Sequence, residues 1–479
     1  MPDGPLSGRL EREIQFVLNH RVVALRAHPA TPLLDAIRGT FGQKATKEGC
    51  REGDCGACTV LLGQLRDGQM AYRAVTSCLV PIGDVAGQHV VTVEGLQGTA
   101  QQPTPVQAAL VAELGTQCGF CTPGIVMALT GFLLTAPHLK QDEATLALAG
   151  NICRCTGYAP ILRAAAALVA QHQPLATATD RVPGLVATRA LPGYFARIPQ
   201  LLAELPPRVR LTQLPAGARV VAGATDLLVQ GPHRLLDHEV ALAGDLCGDA
   251  IEVVDGDLVI GAGATMEALS HHPLFLAFVP EMPQYARLIA SQQIRERATL
   301  AGNIVNASPI GDFVILLLAL GAHIRLQGPD GTREMPLDQF HTGYKRMDLR
   351  PREWLAAIRL PAGQRDKRVA FEKVSKRTHL DIASVNSALW IQVDGQRIVA
   401  ARLAAGGVAP VPKFLSQTSE ALRGKPLDNA TVRLAGELAR AEVTPISDVR
   451  GSALYKSRLL ERQVFAHFQR LFAIEEGLP

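Results

Sequence analysis

The chain has 479 residues, and at about 150 residues per domain this length predicts roughly three domains. Hydrophobic residues make up 47% and charged residues 19%, which is typical of a globular protein and excludes a disordered or fibrous one. The formal net charge of +4 is too weak over this length to indicate a nucleic-acid partner. We find no apolar run that predicts a membrane span and no secretory signal pattern, so we expect a cytoplasmic protein without a membrane partner.

The N-terminal region predicts a small α+β domain. Two short β-type runs, residues 13–18 and 22–26, flank a turn and predict a hairpin. A helix should follow, with Thr31 as its N-cap and Pro32 in its first turn.

Nine cysteines in a chain without an export signal favour metal binding or catalysis over disulfides. Cys247 stands alone, and the other eight form two groups of four. The spacing of the first group, C-x4-C-x2-C with a distant fourth member, is typical of plant-type [2Fe–2S] ligands. Structural zinc is the alternative, but zinc sites usually show paired C-x2-C knuckles. The first group consists of Cys50, Cys55, Cys58 and Cys78.

The second group lies in a region that predicts four helices. Residues 104–107 combine a capping box with a first-turn proline, a second helix opens at Thr122, and two more are predicted near residues 142–149 and 160–171. All four thiols precede helix N-termini, where we expect the partial positive charge to lower their pKa. This spacing alone is compatible with zinc or with an iron–sulfur cluster, and the ferredoxin-type loop beside it favours the cluster. The second group consists of Cys118, Cys121, Cys153 and Cys155.

Three cysteine-bearing segments carry a family resemblance. They read EGCREGDCGACTV, QCGFCTPGIVMAL and GNICRCTGY, and together they resemble the N-terminal two-cluster module of the molybdenum hydroxylases, the xanthine dehydrogenase and aldehyde oxidase family. The resemblance implies that each group of four cysteines holds one [2Fe–2S] cluster. It also implies that the second cluster lies nearer the molybdenum centre.

Two glycine turns farther along resemble the FAD-binding domain of the same family. Residues 220–227 predict a strand, a glycine turn and a helix start, a combination that can bind phosphate. The resemblance implies that these residues and residues 299–303 surround the FAD diphosphate, that Asp312 makes a polar contact, and that Ile289 and Leu355 lie beside the cofactor. The turn residues are Val220, Val221, Ala222, Gly223, Ala224, Thr225, Asp226, Leu227, Thr299, Leu300, Ala301, Gly302 and Asn303.

Two further segments complete the resemblance. Residues 371–382 resemble the opening of the family's flavoprotein C-terminal domain, which implies a flavin contact for Lys373. Residues 340–345 resemble a stretch near the nicotinamide face of the flavin and imply a contact for Tyr344. The chain departs from the family pattern at Ala224, where Asn is common, and at Ile289, where some members have an aromatic residue.

Together these features predict a multidomain α+β chain. The predicted parts are a β-grasp plant-type ferredoxin domain at residues 11–97, a four-helix [2Fe–2S] domain at 98–172, a linker at 173–187, a two-part α/β FAD-binding domain at 188–364 and an α+β flavoprotein C-terminal domain at 365–479.

The resemblance also implies a function. We recognise no molybdopterin domain, so we expect a separate molybdopterin-binding large subunit that carries the substrate site, in a dimer of heterodimers. Electrons would pass from molybdenum through both clusters to FAD and then to NAD, in the oxidation of hypoxanthine or xanthine to urate. The alternatives are the equivalent subunit of an aldehyde or N-heterocycle hydroxylase, and a stand-alone flavin and iron–sulfur electron carrier or redox sensor.

Overall fold

The computed structural model describes residues 10–66, 68–97 and 102–474, which divide into two compact units. The first unit runs to Leu211 and adds Gly217–Asp245 and Ala290–Ala298. The second comprises Thr212–Ala216, Leu246–Ile289 and the described residues from Thr299 onward. The predicted domain boundary between residues 97 and 98 and the predicted end at residue 479 fall on residues outside the described ranges.

The first unit begins with a five-stranded mixed sheet of order β2-β1-β5-β3-β4. The predicted hairpin is confirmed as the antiparallel pair of β1 and β2, and β1 also pairs in parallel with β5. The inward side chains of the sheet, with Phe16 and Val60 among them, bury a core against the first helix. The bounds are β1 Arg12–Leu18, β2 Arg21–Ala27, α1 Leu33–Asp35, β3 Thr59–Arg66, β4 Gln69–Thr76 and β5 His89–Val91.

The predicted cap of the first helix is wrong. Pro32, not Thr31, is the N-cap residue, and no side chain caps the helix start. Instead, the backbone N–H of Leu33 donates to the carbonyl of Val80 at 2.7 Å. A tertiary hydrogen bond therefore satisfies the group that a threonine cap would have served. The helix then widens into a π-helical turn over Ala36–Thr40.

The four helices predicted around the second cysteine group are confirmed. Their bounds are α2 Pro105–Ala112, α3 Thr122–Thr135, α4 Gln141–Ala147 and α5 Ala159–His172. The predicted capping box of α2 is present, with Thr104 and Gln107 each accepting a hydrogen bond from the other's backbone N–H. Helix α3 is apolar on nearly every side because it lies between the other helices and strands β3 and β4.

The stretch that we predict as a linker is packed. It contains the helix α6 Val182–Ala187, whose Leu185 is buried in the helical core. The Arg181 side chain donates to the carbonyls of Leu133 and Ala136, which ties the stretch to the end of α3. The helix α7 Ile198–Ala203 follows and packs on β1 and β3.

The rest of the first unit carries the first predicted glycine turn. Strands β6 and β7 pair in parallel, and an apolar cluster joins their side chains to those of Leu34, Cys58 and Cys78 in the sheet domain. This part of the chain therefore shares a core with the first cysteine group. Its elements are β6 Arg219–Val221, α8 Leu227–Gln230, α9 Pro232–Leu236, β7 Val240–Leu242 and α10 Ala243–Leu246.

The second unit contains a five-stranded antiparallel sheet of order β11-β10-β14-β9-β8. Its strands are β8 Ile251–Val254, β9 Asp257–Gly261, β10 His323–Gly328, β11 Gly331–Pro336 and β14 Trp354–Leu360, and a small hairpin is formed by β12 His341–Gly343 and β13 Arg346–Met347. The helices in this stretch of chain are α11 Met266–Ser270, α12 Pro273–Leu276, α13 Met282–Ala286, α14 Gln292–Arg295, α15 Leu300–Val305 and α16 Asp312–Ala319. Helix α14 belongs to the first unit.

The C-terminal part of the second unit is a four-stranded antiparallel sheet covered by helices. Its helices bury apolar faces against the sheet around Leu389, Leu460 and Phe468. Over the described ranges, no helix combines the length and apolarity that a bilayer crossing requires. The elements are β15 Arg368–Val374, β16 Val385–Asp394, β17 Arg397–Gly406, β18 Lys413–Phe414, α17 Ser416–Ala421, α18 Asn429–Ala441 and α19 Ala453–Phe472.

The capping box yields a test of local stability. We expect Thr104→Ala to cost about 1 kcal/mol of helix stability, which corresponds to about fivefold faster hydrogen exchange in the first turn of α2. Exchange measured by mass spectrometry on the peptide over residues 105–112 checks this. Val111→Ala, at a position that is exposed on the same helix, is the control and should not accelerate exchange, because alanine favours the helix more than valine does. Equal exchange in Thr104→Ala and the wild type would contradict the role of the cap.

Candidate functional site

The first cysteine group is brought together by the β3–β4 hairpin and the loop before it. Cys58 precedes β3, and Cys78 lies in the turn that follows β4. Because Thr59 pairs with Thr76, the hairpin places these two buried thiols at the same end of the sheet. Cys50 and Cys55 complete the group from the glycine-rich loop, where they are half-buried.

The four thiols of this group interact with one another. The Cys55 thiol and the backbone N–H of Glu52, which lies 3.3 Å from the Cys50 sulfur, lower the pKa of Cys50 to about 5. The same contact raises the pKa of Cys55. In the second pair, the Cys78 thiol lowers the pKa of Cys58, and the pKa of Cys78 is raised in return. Four sulfurs with neighbouring backbone donors suit an iron–sulfur cluster, because hydrogen bonds from backbone amides stabilise the thiolate ligands.

The second group lies at the starts of two helices. Cys121 is the N-cap residue of α3, and Cys153 and Cys155 lie in the loop before α5. Cys121 and Cys153 are buried, whereas Cys118 and Cys155 are exposed. The group therefore has one face towards the helical core and one towards solvent.

From the sequence we expected helix N-termini to lower the pKa of all four thiols, but the pKa of Cys121 and of Cys155 is raised. Burial and the Cys153 thiol raise the pKa of Cys121 to about 12. The Cys118 thiol raises the pKa of Cys155, while the Phe120 N–H and the Cys155 thiol lower the pKa of Cys118. Burial opposes ionisation of Cys153, but hydrogen bonds led by that of the Thr156 hydroxyl lower its pKa. In each close pair, the pKa of one thiol is lowered and the pKa of the other is raised.

The two cysteine groups meet through the backbone. The N–H of Ile152, next to Cys153, donates to the carbonyl of Cys55 at 3.0 Å. Gly56 adopts φ +65°, and a Cβ at this position would lie 2.3 Å from the carbonyl oxygen of Gly150. A Cβ on Gly124 would lie 2.2 Å from the carbonyl oxygen of Gly56. Side chains are excluded here, so the two ligand loops come into direct backbone contact.

Within the described ranges, no three His, Cys, Asp or Glu side chains are arranged to hold a single metal ion.

The first glycine turn, residues 220–227, lies in the first unit. Ala224 adopts φ +62°, a left-handed conformation that Asn tolerates more readily than Ala. In the described part of the chain, the backbone N–H groups of Ala224, Thr225 and Asp226 have no backbone acceptor. Successive N–H groups without backbone acceptors around a left-handed residue are typical of anion-binding turns, so this turn is compatible with a diphosphate.

A charged side chain that sequence reasoning missed supports this turn. Arg297 is buried and donates to the carbonyl of Gly223 at 3.3 Å and to the carboxylate of Asp84. A Cβ on Gly223 would lie 2.1 Å from the carbonyl oxygen of Arg297, so only glycine fits at this position. In the sequence, Arg297 is visible only as a basic residue two positions before Thr299. The sequence does not show that it contacts Gly223 and Asp84.

The other predicted cofactor residues lie in the second unit. Thr299 caps α15 by accepting from the Gly302 N–H at 3.0 Å, and Leu300 and Ala301 are buried. The buried Oδ1 of Asn303 finds no hydrogen-bond partner among the described residues, which fits a polar ligand. Ile289 and Leu355 are buried, whereas Tyr344, in the β12–β13 hairpin, is 66% exposed.

Asp312 and Lys373, which lie 61 residues apart in sequence, form a buried ion pair. Lys373 donates to Asp312 Oδ2 at 2.8 Å and to the carbonyl of Leu288 at 2.7 Å. Asn386, a residue that sequence reasoning missed, donates to Asp312 Oδ1 at 2.6 Å. Burial raises the pKa of Asp312, although Lys373 and Asn386 act against the rise. Asn386 lies near the start of a strand whose central residues are apolar, but the sequence does not show its partner.

Four family models match successive parts of the chain. They describe a 2Fe-2S iron-sulfur cluster binding domain at residues 17–83, a [2Fe-2S] binding domain at 92–166, an FAD binding domain in molybdopterin dehydrogenase at 202–363, and a CO dehydrogenase flavoprotein C-terminal domain at 370–471. The chain therefore has two [2Fe–2S]-binding domains and one FAD-binding domain, in the predicted order.

The chain is also similar to curated proteins and to a solved structure. A xanthine dehydrogenase from Drosophila pseudoobscura pseudoobscura is 30% identical over 94% of the chain and 38% of its own length. An aldehyde oxidase 1 from Rattus norvegicus is 27% identical over 93% of the chain and 38% of its own length. A chain of the reconstituted CO dehydrogenase from Oligotropha carboxidovorans matches with 31% identity and a TM-score of 0.51, over 54% of this chain and 91% of that one. The chain spans about two fifths of the length of these curated relatives.

The two cysteine groups yield a test of metal content. We expect the purified chain to hold about four iron atoms and about four labile sulfides, because eight thiolates match two [2Fe–2S] clusters. Cys153→Ser should remove about half of this iron and sulfide, because the two ligand sets lie on different loops. Colorimetric iron and sulfide analysis checks this.

Cys247→Ser is the matched control, since Cys247 belongs to neither group, and its iron content should equal that of the wild type. Stoichiometric zinc in place of iron would contradict the assignment. Loss of all iron from a folded Cys153→Ser protein would contradict the division into two sets.

Proposed function

The chain belongs to the molybdenum hydroxylase family, and from this premise we propose that it is the electron-transfer subunit of a xanthine dehydrogenase. Its partner would be a molybdopterin-binding large subunit that oxidises hypoxanthine or xanthine to urate, in a dimer of heterodimers. Two [2Fe–2S] clusters would supply one-electron transfer, and FAD would convert single electrons into hydride for NAD. The observation that carries this proposal is the direct backbone contact between two groups of four cysteines.

The residues of the chain fit these cofactors in distinct ways. Each cysteine group offers four sulfurs, with backbone N–H groups that favour the thiolate. The turn at residues 224–226 offers N–H groups without backbone acceptors to a diphosphate. In the second unit, we propose that Asp312 and Lys373 serve the flavin as a pair whose charges neutralise each other inside the protein. Tyr344 is exposed and is proposed as a contact on the nicotinamide side.

The choice of xanthine rests on the relatives. Xanthine dehydrogenases from insects, a fungus, a bird and a plant match at 27–30% identity, over 86–97% of the chain. The aldehyde oxidases match at 27% identity, so an aldehyde-oxidising assembly is the second candidate. The nine cysteines form no disulfide, which fits a reducing compartment, and we propose that the protein acts in the cytoplasm.

The first test of this proposal concerns the flavin. We expect Asp312→Ala to lower the ratio of FAD to protein while the iron content stays near that of the wild type, because this residue lies outside both cysteine groups. Flavin released by acid and quantified by absorbance gives the ratio. Asp330→Ala, in the exposed turn between β10 and β11, should keep full FAD. Full FAD in a folded Asp312→Ala protein would move the flavin contact elsewhere.

The second test concerns the direction of electron flow. Alone, the chain should reduce an artificial dye with NADH but should not oxidise xanthine, and xanthine oxidation should begin when a molybdopterin-binding partner is added. Cys155→Ser should suppress turnover from xanthine to NAD and spare the reaction from NADH to dye, because the lost cluster lies on the molybdenum side of FAD. Cys247→Ser should retain both activities. Urate formation by the isolated chain would show that a substrate site has been missed.

The same assay separates the alternatives. An aldehyde-oxidising assembly would turn over an aldehyde and leave xanthine unchanged. A stand-alone carrier or redox sensor would purify without any molybdopterin-binding partner, and affinity purification of the native protein tests for one.

A further inference from the structure

Gln293 makes a buried polar contact that the proposed function does not explain. This residue of α14 is 1% exposed, and its Nε2 donates to the carbonyl of Ala147 at 2.8 Å and to Oδ1 of Asn151 at 3.1 Å. By sequence it belongs to the region that matches the FAD-binding model, but it packs in the first unit with the helical domain. A segment of the flavin region therefore contacts the second cysteine domain.

Asn151 also contacts the first cysteine loop. Its Nδ2 donates to the carbonyl of Gly56 at 3.0 Å, and Gly56 follows Cys55 directly. The next residue, Ile152, donates its N–H to the carbonyl of Cys55 at 3.0 Å. Two adjacent hydrogen bonds thus join the segment before Cys153 to the Cys55–Gly56 segment.

The orientation of the Asn151 amide depends on Gln293. Because the Gln293 Nε2 is a donor, it fixes the oxygen of Asn151 on its own side and turns the Asn151 NH2 group towards Gly56. The packing around the pair is tight, since a Cβ on Gly150 would lie 2.3 Å from Oε1 of Gln293. A side chain at position 293 without an amide donor would leave the Asn151 oxygen without this partner.

We propose that Gln293 is a positioning residue for electron transfer between the two cysteine groups. It acts through Asn151 and holds the Ile152–Cys55 hydrogen bond, a direct backbone connection between the two ligand loops. A single electron that crosses this contact oxidises one cluster and reduces the other, so no further reactant is required. This inference rests on the proposed function for its two clusters.

The test uses the intact chain with both clusters and compares Gln293→Met with the wild type. Methionine has nearly the length of glutamine but no donor, so Asn151 loses its partner with little change in volume. We expect the Ile152 amide to exchange hydrogen about fivefold faster, the change that corresponds to the loss of one neutral hydrogen bond. After dithionite reduction, we also expect a smaller splitting of the two cluster signals in electron paramagnetic resonance, since this splitting reports their magnetic interaction.

Gln292→Ala, at the half-buried neighbouring position, is the matched control and should leave exchange and splitting unchanged. Gln293→Leu, which is close to glutamine in size and has no donor, is the second variant if Gln293→Met does not fold. Unchanged exchange and splitting in a folded variant would overturn the inference. Faster exchange throughout β3 and α3, with unchanged splitting, would also overturn it and assign Gln293 a purely structural role.

The cluster signals separate this inference from the proposed function. If the wild type shows no signal from either cluster, the proposed function fails and the inference fails with it. If both signals are present in the variant with the wild-type splitting, only the inference fails.

Discussion

The close approach of two backbone loops at Gly56 is the constraint on which the rest of the first unit depends. A Cβ on Gly56 or on Gly124 would overlap a carbonyl oxygen of the facing loop, so both positions require glycine. This approach lets the Ile152 N–H reach the carbonyl of Cys55. The two cysteine groups, which come from a sheet domain and a helical domain, are therefore joined by a direct backbone hydrogen bond.

Buried polar side chains hold together the segments next to the contact between the two cysteine loops. Arg297 connects Asp84 of the sheet domain to the glycine turn at Gly223, and Gln293 connects the same α14 region to Asn151. A buried charge or amide is costly unless it is paired, so each of these contacts restricts its neighbours to one arrangement. One segment of nine residues, Ala290–Ala298, thus contacts both cysteine domains and the predicted phosphate turn.

The sequence was most informative where chemistry is local. Cysteine spacing, the capping box at Thr104 and the hairpin at the N-terminus each depend on residues close in the chain, and the structure contains the corresponding elements. The sequence-based predictions were wrong where the interacting group comes from a residue that is distant in the chain. Val80 replaces the expected Thr31 cap, and neighbouring thiols reverse the expected pKa shift of Cys155.

The partners of the buried polar residues could not be predicted for the same reason. Asn386 lies 74 residues from Asp312, and Gln293 lies 142 residues from Asn151, so no periodicity or spacing relates them. Asn386 and Gln293 are ordinary polar residues in the sequence, and their roles depend on the tertiary packing. The predicted flavin residues remain predictions, because their contacts depend on a bound cofactor.

Anomalous X-ray diffraction at the iron absorption edge, from crystals of the purified chain, tests the central claim most directly. The account predicts two iron peaks within each group of four cysteines, with the Cys55–Ile152 contact lying between the two pairs. A single metal peak in either group, or a signal at the zinc edge in place of the iron edge, would contradict it.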